Sequence, residues 1–213
     1  MLGDRIVVKP HHTKAAEGVY EKVCGKVTGS EGSLAMTVAG ESGSGKSEIA
    51  SEIARLFSQR ESLKCVIFHQ DDYFIRPPKT NDKARLDDIG NVGTHEVLLD
   101  LMNEHILLAK DPGTGTVVKP LIDYDNDRVL EEETDVSGVN LVIAEGTYTT
   151  SLKDADIRVF IDRTYHDTLE HRKERGRDEL NEYTEKILVI EHEIISSHKK
   201  EADIVIGRDY RVV

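Results

Sequence analysis

The sequence predicts an α/β fold, a mostly parallel β-sheet flanked by helices. Three observations carry this. Short apolar runs alternate along the chain with longer segments whose apolar side chains recur at helical spacing. The first core run, Leu34 to Ala39, ends in a glycine-rich turn that leads straight into a helical pattern. A chain of 213 residues with 38% hydrophobic content is enough for one filled core and too little for two independent ones.

The elements follow in order. Residues 1–33 read as an N-terminal appendage packed on the core, with a strand at Arg5 to Val8, a helix from about Thr13 to Val27 and a Gly-Ser-Glu-Gly turn. Residues 34–213 read as the main domain. After the strand Leu34 to Ala39 and the helix Ser47 to Ser58, which carries Ile49, Ile53, Leu56 and Phe57 on one face, strands are expected at Lys64–His69, Thr116–Leu121, Asn140–Ala144, Ile157–Ile161 and Asp203–Ile206. Helices are expected at Glu96–Ala109, His166–Arg175 and Leu180–Lys199. Two stretches read as mobile loops: Arg76 to Gly93, which is charged and holds Pro77-Pro78, and the acidic, turn-rich Asp123 to Gly138.

Composition narrows the function. A net charge of −12 argues against broad affinity for nucleic acid or an anionic membrane. Two cysteines, Cys24 and Cys65, are too few for a disulfide framework or a metal cage, which points to a reducing cytoplasm. No run approaches the 18 or so apolar residues of a membrane span, and Met1 to Pro10 has no signal-peptide core. His95-Glu96 lacks the second histidine of a zinc helix, since position 99 is Leu99.

The glycine-rich turn carries the chemistry. Gly40-Glu41-Ser42-Gly43-Ser44-Gly45-Lys46-Ser47 satisfies G-x-x-x-x-G-K-[ST] in its required strand–loop–helix setting. Such a loop turns successive amides toward phosphates at a helix N-terminus, while Lys46 reaches the terminal phosphates and the Ser47 hydroxyl can ligate Mg²⁺. ATP and Mg²⁺ are therefore the expected cofactors, on a P-loop NTPase fold. The second strand delivers Gln70-Asp71-Asp72-Tyr73-Phe74 at its C-terminal end, the ligand edge of an open parallel sheet. A carboxylate there, Asp71, can orient and deprotonate an acceptor hydroxyl. The buried run Asn140 to Ala144 ends in Glu145-Gly146, which puts a second acid where it can support Mg²⁺. The dense basic segment His171 to Asp178 supplies Arg172, Arg175 and Arg177, planar donors suited to a transferring phosphoryl group and to a lid that closes over it.

These elements, in this order, resemble the uridine kinase family of P-loop metabolite kinases, with nicotinamide riboside kinase and phosphoribulokinase as relatives. The resemblance runs from about Leu34 to Arg208. It implies that Asp71 is the catalytic aspartate and that Glu174 to Asp178 belongs to an arginine-bearing lid. It further implies that Ala202 to Ile206 is the family's closing strand. The family's nucleoside-contacting segment is matched by Ile122-Asp123-Tyr124-Asp125-Asn126-Asp127-Arg128, which keeps an arginine and lacks a histidine. Tyr73, Arg76, Tyr124 and Arg128 are the candidates for the acceptor pocket.

The expected activity is transfer of the ATP γ-phosphoryl group to a hydroxyl of a small metabolite, a nucleoside or riboside, by a monomer or homodimer. A kinase of sugar phosphates or of a vitamin precursor is the alternative. A regulatory nucleotide switch is a third reading: Asp135-Val136-Ser137-Gly138 spells D-x-x-G, but no Asn-Lys-x-Asp guanine-reading segment occurs.

Overall fold

A computed structural model describes Leu2, residues 6–175 and residues 181–213, with the side chains of 171, 174 and 175 outside the described set. Five parallel strands form the sheet. β1 (Leu34–Gly40) lies at its centre between β5 (Leu141–Gly146) and β6 (Ile157–Ile161). β2 (Cys65–His69) flanks β5, and β7 (Ile204–Ile206) flanks β6. β1 and β5 are buried almost throughout because helices cover both faces, as parallel sheets require. Their shared direction brings the C-terminal ends of all five strands to one edge.

On one face, α1 (Pro10–Thr28) and α2 (Lys46–Glu61) pack Ala15, Val19, Ile49, Ile53 and Phe57 against Met36, Val38 and Ile143. On the other, α4 (Leu99–Lys110) and α6 (Glu182–His198) bring Met102, Ile106 and Ile195 against Phe68, Val142 and Phe160. The Asn181 side chain accepts from the Thr184 amide at 2.9 Å and caps α6 at its start. Residues 6–8 are irregular, and Arg5 lies outside the described residues, so the expected strand at Arg5 to Val8 is absent from the described part. Among the described residues no helix is long and apolar enough to cross a membrane.

Three local expectations need correction. The strand expected at Thr116–Leu121 is not part of the main sheet. As β3 (Thr116–Asp123) it pairs antiparallel with β4 (Arg128–Asp135) in a separate hairpin. β4 lies inside the stretch read as a loop, its acidic, largely exposed side chains having hidden any apolar alternation. Likewise, Arg76 to Gly93 contains α3 (Pro78–Asp87), which starts with proline in its first turn and buries only Asn81. A helix with so little apolar surface leaves no 3.6-residue stripe to read.

Polar contacts hold both additions in place. Asp72 accepts the Ile122 amide at 3.0 Å, and Lys119, itself buried, reaches Asp72 at 3.2 Å and Glu132 at 2.8 Å, which pins the hairpin beside β2. For α3 the anchor is Glu96. This fully buried carboxylate accepts from Arg85 Nε at 2.6 Å, Arg85 Nη2 at 2.8 Å, Asn81 at 2.7 Å and the Gly93 amide at 2.9 Å. Breaking a buried pair strands a charge. Glu96→Gln is therefore expected to destabilise the fold by about 3 kcal/mol, the low end for such a loss because Glu191 still faces Arg85 at 3.3 Å. Denaturant unfolding checks this, and a change below the ~0.5 kcal/mol of an ordinary surface substitution would contradict it.

Candidate active site

The site sits on the sheet edge where β1, β2 and β5 end. The P-loop runs from Gly40 to Ser47. Gly43 and Gly45 take φ of 74° and 94°, a left-handed backbone that glycine adopts without Cβ strain and that turns the loop amides inward. Lys46 Nζ donates to the Glu41 carbonyl at 3.0 Å, lying along the loop it serves. The Glu41 carboxylate is itself fixed by the Tyr165 amide at 2.6 Å and by His192 Nδ1 of α6 at 2.7 Å. The Ser42 carbonyl accepts from Thr168 Oγ1 at 2.8 Å, and the Ser44 hydroxyl is buried with no partner among the described residues.

Ser47 Oγ donates to Glu145 Oε1 at 3.1 Å across the gap between α2 and the end of β5. The same carboxylate oxygen meets His69 Nδ1 at 2.7 Å. Burial alone would raise the Glu145 pKa. The His69 hydrogen bond and charge, Lys46 and Ser47 outweigh it and hold the carboxyl below its ordinary range. His69 is displaced upward: burial opposes its charged form, and the bond to Glu145 more than compensates. A hydroxyl and an ionised carboxylate converging at a P-loop are hard oxygen donors of the kind Mg²⁺ takes, so these residues fit that ion. No group of three or more His, Cys, Asp or Glu that could hold a metal occurs among the described residues.

Asp71 is exposed on the short 3₁₀ turn Gln70–Tyr73 that leaves β2. Its neighbour Gln70 ties the end of β2 to the turn after β5, accepting the Tyr148 amide at 2.7 Å and donating to Thr147 Oγ1 at 2.9 Å. Asp72 points the other way, into the hairpin contacts described above.

Arg172, on α5 (Leu169–Arg175), is buried over the P-loop. A Cβ on Gly43 would come within 2.8 Å of its Cγ. Nη2 donates to the Tyr165 carbonyl at 3.0 Å, while Nε and Nη1 are buried with no acceptor among the described residues. The Arg175 side chain and the whole of Arg177 lie outside the described residues.

The acceptor candidates scatter. Tyr73 is fully buried and its hydroxyl meets His105 Nδ1 at 2.9 Å, so it is a core residue and not a pocket wall. An aromatic ring beside a catalytic acid reads the same in sequence whether it faces the cleft or the core. Arg76 is half-buried, with no hydrogen bond or ion pair to the described residues. Tyr124 and Arg128 sit at the hairpin tip, where Arg128 reaches Asp123 at 3.1 Å. Sequence reasoning missed His69, His192 and His12, the last packed on Gly45 from the first turn of α1. A signal for His69 existed: it ends β2 and Glu145 is the last residue but one of β5, and in these adjacent parallel strands the two positions pair directly.

A glycine-rich phosphate cradle with its lysine, a hydroxyl–carboxylate pair and an aspartate on the facing strand end make this the site of a P-loop kinase. The sequence pattern of the Phosphoribulokinase / Uridine kinase family matches residues 35–210, and the chain belongs to that family. It is 30% identical over 211 residues to the bifunctional alpha-galactosidase/sucrose kinase of Mediterraneibacter gnavus, covering 92% of this chain. That match takes up 22% of the longer protein. It is also 29% identical over 160 residues to the uridine kinase of Ureaplasma urealyticum serovar 10, covering 73% of this chain and 74% of that one. Among solved structures, the fold is similar to phosphoribulokinase from Rhodobacter spheroides, with a TM-score of 0.60, 16% identity, and coverage of 84% of this chain and 71% of that one. By its family the chain is a phosphotransferase with a hydroxyl acceptor.

Proposed function

We propose that this chain uses ATP and Mg²⁺ to phosphorylate a hydroxyl of a small polyhydroxylated metabolite, a nucleoside or other riboside. The observation that carries the reading is Arg172. A guanidinium buried against Gly43 with two donors unmet is a costly arrangement that an anion in the P-loop would relieve. In this mechanism the P-loop amides and Lys46 hold the β- and γ-phosphates, and Arg172 donates to them from above, with Arg175 and Arg177 completing the lid. Ser47 and Glu145 would hold Mg²⁺, which would supply positive charge that offsets the charge of the phosphates. Asp71 accepts a hydrogen bond from the acceptor hydroxyl, aligns it on the γ-phosphorus and takes its proton as the new P–O bond forms and the bond from the γ-phosphorus to the β–γ bridging oxygen breaks, with ADP as the leaving group. Arg76, Tyr124 and Arg128 remain the proposed acceptor contacts.

A free sugar is the second reading, favoured by the relative whose name includes sucrose kinase and by the loss of Tyr73 from the pocket. Screening ADP release over nucleosides, ribosides, free sugars and sugar phosphates tests both. Turnover with a riboside well above the no-acceptor rate supports the first reading, and turnover with sugars alone supports the second. Nucleotide hydrolysis that no acceptor accelerates would overturn the kinase assignment of acceptor class altogether.

A further inference from the structure

Glu145 holds its two carboxylate oxygens in different states. Oε1 takes both the Ser47 hydroxyl at 3.1 Å and His69 Nδ1 at 2.7 Å, whereas Oε2 receives no hydrogen bond from the described residues. A carboxylate with one oxygen doubly engaged cannot spin freely about its terminal bond, so the other oxygen keeps one heading. The paired positions of His69 and Glu145 on adjacent strands make the contact a product of sheet register rather than of a mobile loop.

We propose that His69 is a positioning residue for the divalent cation: together with the Ser47 hydroxyl it pins Oε1 of Glu145, and thereby holds Oε2 in one heading, available to the ion. Partners in the outer shell of a metal site act in this way, and their removal typically costs 10–100-fold in metal affinity or activity. His69 touches neither nucleotide nor acceptor in this role. It also lines an open groove of about 480 Å³ beside Ile67, Asp72 and Lys119, which gives a substituted side chain room without repacking the core.

The inference rests on the kinase reading only in assuming that Glu145 faces a cation, so its test uses binding rather than turnover. Mn²⁺ binding to the full chain is measured by electron paramagnetic resonance with a non-hydrolysable ATP analogue present, for wild type, His69→Ala and His69→Gln. The analogue's affinity without divalent ion and the melting temperature of the metal-free protein are measured in parallel. The expected result is Mn²⁺ affinity lowered by roughly 10–100-fold in His69→Ala and largely restored in His69→Gln, whose amide can still donate to Oε1. Metal-free nucleotide affinity and melting temperature should stay close to wild type. Unchanged Mn²⁺ affinity in His69→Ala would overturn the inference. So would a loss matched by an equal fall in metal-free nucleotide affinity, because that marks a general structural role. If Mn²⁺ behaves as expected while no acceptor is ever phosphorylated, the acceptor assignment fails and the role of His69 stands.

Discussion

Asp71→Asn is expected to lower phosphoryl transfer by about 10²- to 10⁴-fold, the range for losing a positioned acid–base group, while nucleotide affinity moves no more than a few-fold. The amide keeps the shape and the hydrogen-bond acceptor of the carboxylate and loses its basicity. The defect should therefore appear in kcat, with little change in the binding of ATP. Asp72→Asn is the internal control. Asp72 is buried between the Ile122 amide and the Lys119 ammonium, so its charge anchors the hairpin and touches no reacting atom. That variant should lose stability, seen as a lower melting temperature, and keep most of its turnover per folded molecule. Steady-state kinetics of the two variants, normalised to folded protein, would show equal or reversed effects if the assignment were wrong.

Lys46→Ala is expected to cost about 10²- to 10³-fold in kcat, the usual effect of removing one preorganised donor at developing charge. The ammonium lies against the Glu41 carbonyl and is half-buried, so only a modest part of the folding energy depends on it. The melting temperature without nucleotide should be nearly unchanged, while the stabilisation conferred by added Mg²⁺–ATP should shrink. A variant with wild-type turnover would remove the P-loop lysine from the chemistry.

The P-loop and its flanking elements were legible because backbone chemistry demands them in a fixed order: a strand to aim the loop, glycines to turn its amides, a helix to receive the phosphate. The placement of Glu145 and Asp71 at strand ends was legible for a related reason, since the strands of a parallel sheet run to one edge. What escaped lacked a local period. α3 is almost wholly polar on its surface, and its stability comes from Arg85 reaching Glu96, a contact across 11 positions that no sequence window records. β4 hid behind its exposed glutamates. Tyr73 misled because a ring next to a catalytic acid can turn inward, and His69 because its partner lies 76 positions away. The arginine cluster read as a lid over phosphates; Arg172 packs on Gly43 of the P-loop, while the Arg175 side chain and Arg177 lie outside the described residues.

Consecutive residues of α6 reach opposite banks of the cleft. Glu191 meets Arg85 on α3, and His192 meets Glu41 in the P-loop. The helix thus behaves as a clasp. Widening the gap between α3 and the P-loop must release one of these two links, while a turn of α6 about its axis would pull on both at once. Three of the four partners, Arg85, Glu191 and Glu41, are largely buried, so solvent screens these links less than it would a surface pair. One helix turn thereby couples the placement of α3 to that of the P-loop.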